Sequence, residues 1–140
     1  MNHRAFYVGA LFVFLLINSA CHGDDSDSLG EPVDSVIKGV PVPVEANKHG
    51  RSGDTAAWSV RGADYEEIVA WFEDELPIDD DHDDLKFCET RESDVFVHWN
   101  WWEEAPEGHN GTPWLSVVVF QDERVNVVIS YEEDDLSQCR

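Results

Sequence analysis

The chain has 140 residues and a formal net charge of −21, from 30 acidic against 9 basic side chains. Charge of that sign and size repels nucleic-acid phosphates and anionic lipid headgroups, which excludes a nucleic-acid partner and a membrane contact made by the domain surface. With 6 Trp and 7 Phe the chain is too aromatic for a disordered one, and its length suits one domain with a core, not two.

The first segment is an address. Asn2-His3-Arg4 is a short basic start, Ala5 to Ile17 carries no charge, and Asn18-Ser19-Ala20 are small or polar. The apolar run falls short of the roughly 20 residues a membrane span needs, and it fits the central region of a secretory signal peptide. With Cys21 directly after Ala20, the stretch Leu15-Leu16-Ile17-Asn18-Ser19-Ala20-Cys21 resembles a bacterial lipoprotein signal. Ser19, Ala20 and Cys21 match the small, small, cysteine pattern, whereas Asn18 stands where an aliphatic residue is usual. The resemblance implies cleavage before Cys21, a diacylglyceryl group on its thiol and an acylated new amine. Two or more acyl chains hold a protein firmly to a membrane. In a Gram-negative cell, His22 after the cysteine implies the outer membrane. Two other processings fit the same residues: simple secretion after Ala20 with a free Cys21, and an uncleaved short anchor.

Three cysteines is an odd number for an exported chain. If Cys21 carries lipid, Cys88 and Cys139 remain as a pair in an oxidising compartment. Two unpaired thiols are the alternative, since spacing does not bring two Cα atoms together. The expected organisation is a signal over 1–20, a lipidated cysteine with an acidic flexible spacer over 21–32, and a single domain over 33–140.

Within that domain, Val33 to Lys38 suits a short strand or turn. Val40-Pro41-Val42-Pro43-Val44 alternates valine with proline, so it belongs at a sheet edge or in an extended cover. Asn47 to Asp54, with two glycines and Lys48, His49 and Arg51, is expected to be a loop. Thr55 to Arg61 is a strand that Gly62 ends. Asp64 and Glu67 have capping-box spacing and open a helix in which Tyr65, Ile68, Val69, Phe72 and Leu76 form one apolar stripe, with Trp71 bordering the core. Pro77 stops it. After the acidic loop Asp79 to Asp84, Leu85 to Glu89 suits a short strand. Asp94 to Glu103, Trp114 to Gln121 and Arg124 to Tyr131 are strands rich in β-branched and aromatic residues, the last two joined by a tight turn. The predicted class is α+β: one helix packed on an antiparallel sheet of about four strands.

The strand around His98 is the best candidate for a binding surface. Period-two alternation puts Val95, Val97, Trp99 and Trp101 on one face and Phe96, His98, Asn100 and Trp102 on the other. If the helix covers the first face, the second presents an imidazole, an amide and two aromatic rings, a mixture suited to a flat ligand or a partner. A second small core is the competing use of those residues. His109 lies in the long loop Glu104 to Pro113 and joins the candidates, since long loops often carry function. Asn110-Gly111-Thr112 has N-glycosylation spacing, set aside because the export signal is of bacterial type.

Chemistry beyond binding has little in its favour. There is no His-Glu-x-x-His, no Cys-x-x-Cys, no EF-hand order, no Gly-x-Ser-x-Gly and no phosphate-binding glycine loop. Asp79 to Asp84 supplies hard oxygen ligands for weak, adventitious cation binding, and no cofactor is called for. The expectation is a lipid-anchored envelope protein whose domain binds a protein or small ligand. Its alternatives are an acidic immunity or inhibitor protein with a basic partner, and a small hydrolase using His98 or His109 as base.

Overall fold

The computed structural model describes residues 29–105, 107–108 and 110–139. Cys21 and the whole signal lie outside them, as does His109.

The helix forms where its capping signal stands. Asp64 is extended, and its side chain accepts a hydrogen bond from the Glu67 backbone N–H at 2.9 Å, which starts α1 (Tyr65–Glu75). Leu76 closes it by donating its N–H to the Phe72 carbonyl, just before Pro77. Tyr65, Ile68, Phe72 and Leu76 are buried, Val69 packs against them, and Trp71 is fully inside the core. Trp71 meets Phe72 edge-on at 4.9 Å between centroids, so it fills the core where it was expected only to border it.

Among the described residues eight strands accompany the helix. A hairpin of β1 (Pro32–Asp34) and β2 (Pro41–Pro43) is a separate two-stranded sheet. The main sheet has β3 (Ala46–Ser52), β4 (Thr55–Val60), β5 (Lys86–Ser93), β6 (Phe96–Trp102), β7 (Thr112–Gln121) and β8 (Val125–Asp135) in the order β3-β4-β8-β7-β6-β5, antiparallel throughout. One helix on an antiparallel sheet is therefore the architecture, but the sheet has six strands where about four were expected. The four with strong apolar character are the interior ones. The two additional strand lengths lie at the edges, which explains how they escape a pattern search. β3 has six exposed positions of seven and carries Lys48 and Arg51, the polar, charged character that edge strands tolerate and a loop shares. β5 runs four residues beyond the predicted Glu89, through the exposed Thr90-Arg91-Glu92-Ser93 segment's ladder with β6.

One face of the sheet holds the core. Val97, Trp99 and Trp101 of β6, Leu115, Val117 and Val119 of β7, and Val127 and Ile129 of β8 are buried against α1. Phe72 lies 6.1 Å from the Trp99 ring. The hairpin adds Ile37, Val40 and Val42 to the same core. It is fastened there by Lys38, whose ammonium sits 4.1 Å over the Tyr131 ring and whose carbonyl accepts from His82 Nε2 at 2.6 Å. The helix and the hairpin thus share one side of the sheet. The other side is left to the C-terminal tail.

Candidate binding cleft

On that second side, β6 presents Phe96, His98, Asn100 and Trp102, the face expected from alternation. Register aligns them with β7: Phe96 opposite Phe120, His98 opposite Val118, Asn100 opposite Ser116 and Trp102 opposite Trp114. On the other flank a bulge in β5 decides what stands beside them. Phe87 pairs with Trp101 on the core side, the next paired residue is Glu89 opposite Asn100, and Cys88 is the extra residue between them. The bulge sends Glu89 and then Arg91, opposite His98, to the open face, and the two side chains form an ion pair.

Cys88 is also where the chain end is tied. It is disulfide-bonded to Cys139, with Cα atoms 5.5 Å apart. The tail leaves β8 at Asp135 and must cross β7 and β6 to reach β5. Three strand spacings amount to about 14 Å, and the disulfide, with its Cα atoms 5.5 Å apart, can cover part of it, so the four residues that follow Asp135 are long enough to cross. The tail is therefore a strap across this face, its first residues turned by a hydrogen bond from the Ser137 N–H to Asp135 Oδ1. The Thr112 hydroxyl holds its start, lying 3.4 Å from the Asp135 carbonyl and 3.3 Å from that of Ser137.

Strap and sheet enclose a half-open cleft of about 450 Å³, lined by Glu89, Arg91, His98, Asn100 and Trp114 on the sheet side and by residues 136–138 on the other. Its floor is a hydrogen-bonded cluster. Asn100 is 1 % exposed, and its Oδ1 accepts from the Trp114 indole N–H at 3.1 Å and from the Ser116 hydroxyl at 2.9 Å. Trp114 Nε1 also lies 3.1 Å from Ser116 Oγ, and His98 Nε2 pairs with that same oxygen at 3.1 Å. The Asn100 amide nitrogen is buried without a partner among the described residues.

Burial holds the His98 pKa below its ordinary value, and the Arg91 guanidinium pushes it in the same direction. Glu89 and hydrogen bonding to Asn100 oppose them without reversing the shift. His98 is neutral at pH 7, and the cleft's formal charges are those of the Glu89–Arg91 pair.

The structure brings together two of the five expected binding residues, His98 and Asn100. Phe96 and Trp102 share their face but not the cleft, and Cys139 acquires a part in building it. Glu89, Arg91, Trp114, Ser116 and the strap were not foreseen. Trp114 and Ser116 carry the same period-two signal as β6, so pairing the two strands on paper finds them. Glu89 and Arg91 depend on a bulge and carry no such signal. Among the described residues no group of three or more His, Cys, Asp or Glu is placed to hold a metal. The acidic loop 79–84 instead supports the core, where the Asp80 carbonyl accepts from Trp101 Nε1 at 3.1 Å. No helix among the described residues is long and apolar enough to cross a membrane. Comparison with protein-family models, curated proteins and solved structures finds no match for this chain.

Proposed function

We propose that this protein is exported, anchored to the cell envelope through a lipid on Cys21, and that its domain is a binding module for a small ligand held in the cleft beneath the strap. The observation that carries the binding function is the floor of that cleft. A buried amide, an indole N–H, a hydroxyl and a neutral imidazole converge there, beside one carboxylate and one guanidinium. Ligand sites share one part of this make-up, polar groups held in fixed orientation within a concavity, and here the concavity is half-open with a mostly polar lining. The disulfide is compatible with export.

The test for binding is a ¹H–¹⁵N correlation spectrum of the folded domain titrated with fractions of a small-molecule cell extract. Saturable shifts confined to Glu89, Arg91, His98, Asn100 and residues 136–138 support the cleft as the site; shifts absent there, or spread over the surface, refute it. For the anchor, the mass of protein extracted from its own membrane should equal residues 21–140 plus the lipid, and Cys21→Ser should leave the protein in the soluble fraction.

A hydrolase is the second reading, favoured by the 3.1 Å contact between His98 Nε2 and Ser116 Oγ in a cleft. Against it, Ser116 Oγ is already engaged by Trp114 and Asn100. Covalent labelling of Ser116 by a fluorophosphonate, lost in His98→Ala, would establish it in place of simple binding.

A further inference from the structure

Resting on the cleft as the binding site, we infer that the group it recognises is a carboxylate on a small ligand, received by the Asn100 amide N–H groups and the Arg91 guanidinium.

The orientation of Asn100 is settled by chemistry. An indole N–H only donates, so the amide atom 3.1 Å from Trp114 Nε1 has to be the carbonyl oxygen. The Ser116 hydroxyl donates to that same oxygen. The opposite assignment would set the amide N–H groups against the indole N–H. What remains is an NH₂ group that cannot turn away, in a residue 1 % exposed, with no acceptor among the described residues. Buried donors are nearly always satisfied, and one left unpaired is unfavourable because it has lost its bonds to water and gained none in return. The wall above Asn100 is the strap itself, where Leu136 is 79 % exposed, so the segment covers the floor without being packed into a core. The NH₂ has no accessible surface as the strap lies, so a ligand oxygen that supplies the missing acceptor has to displace part of that cover.

Arg91 decides which kind of oxygen. It stands opposite His98 on the neighbouring strand, at the mouth of the same cleft, and it too can only donate. An amide donor and a guanidinium on one cleft match the two oxygens of a carboxylate, with the guanidinium fork providing the charge-assisted bonds. A phosphate fits less well. It brings more charge and more oxygens, while the cleft has a single cation, already paired with Glu89, and the chain as a whole stands at −21. The Glu89 carboxylate, released from Arg91 when a ligand takes its place, is free to receive an ammonium group. The carboxylate can therefore come from a simple anion or from a zwitterion such as a free amino acid.

The experiment is a ¹H–¹⁵N titration at constant ionic strength with three probes of one shape: alanine, N-acetylalanine and N-acetylalaninamide. The expected result is a saturable displacement of the Asn100 side-chain NH₂ signals by the two carboxylates and not by the neutral amide. Arg91→Gln, on the exposed side of an edge strand, should weaken that binding about tenfold. Arg124→Gln, at the other end of the sheet, should leave it unchanged. Alanine binding tighter than N-acetylalanine would assign the zwitterion, and the reverse order the anion. Equal binding of the neutral amide would overturn the carboxylate while leaving the cleft as a binding site. The same holds if extract fractions shift the cleft signals and none of the three probes does. Silence from the probes and the extract alike would overturn both.

Discussion

Replacing Cys88 and Cys139 together with serine removes a cross-link between residues 51 apart in sequence. The unfolded chain then regains the freedom that the closed loop denied it. On the loop-entropy relation, a separation of this size is worth about 4 kcal/mol at 25 °C. Typical domain stabilities are about 5–15 kcal/mol, so the variant should fold but lose a large share of its margin. For a domain of roughly 100 residues, 4 kcal/mol corresponds to a fall in Tm of about 15–30 °C. Urea unfolding followed by tryptophan fluorescence gives the free energy, and calorimetry gives the Tm. The urea m-value should rise as well, because an uncrosslinked unfolded chain exposes more surface. Deleting residues 136–140 from a Cys88→Ser background separates the two roles of the strap. If chain entropy dominates, the deletion should be about as stable as the double serine variant, though its cleft lacks a wall. A loss below about 1 kcal/mol in the double serine variant, with an unchanged m-value, would refute the entropic account.

Three further outcomes follow from individual residues. Gly111→Ala should cost about 1–3 kcal/mol in urea unfolding, because a Cβ there would stand 2.4–2.6 Å from the Asp134 backbone, which cannot move aside as a side-chain tip could; an unchanged midpoint would mean that the loop before β7 sits differently. Trp99→Ala, at a side chain with no exposure, should cost about 3–5 kcal/mol and broaden or abolish the cooperative transition; a variant of wild-type Tm would place Trp99 outside the core. For His98, the folded pKa lies below the unfolded value of 6.5, so the unfolded chain binds the proton more readily. Its contribution is fully present above that value and is lost as pH falls through 6.5 toward the folded pKa. His98→Gln should therefore flatten the stability profile on the acid side of neutrality, and an identical profile in both proteins would show that His98 does not titrate differently on folding.

Features that act over a few residues are legible in the amino-acid sequence by itself. A cap, an apolar stripe and a stopping proline define α1 because each acts within four residues along the chain. The two faces of β6 follow from period two alone, while the sequence offers the Cys88–Cys139 pair only beside two free thiols, and the fold decides for the bridge. Half of the cleft is legible for the same reason, since His98 and Asn100 are alternate residues of one strand. The other half depends on distance through space. β3 buries no continuous face and so leaves no pattern, and a bulge at Cys88 turns Glu89 and Arg91 outward where simple alternation would misplace them. Ser116 and Trp114 reach Asn100 only through the β6–β7 register, and the strap becomes a wall only because Cys139 is held at the far edge of the sheet. Periodicity records which side of its own strand a residue occupies; which residues it meets there is set by register, bulges and a cross-link, and those belong to the folded chain.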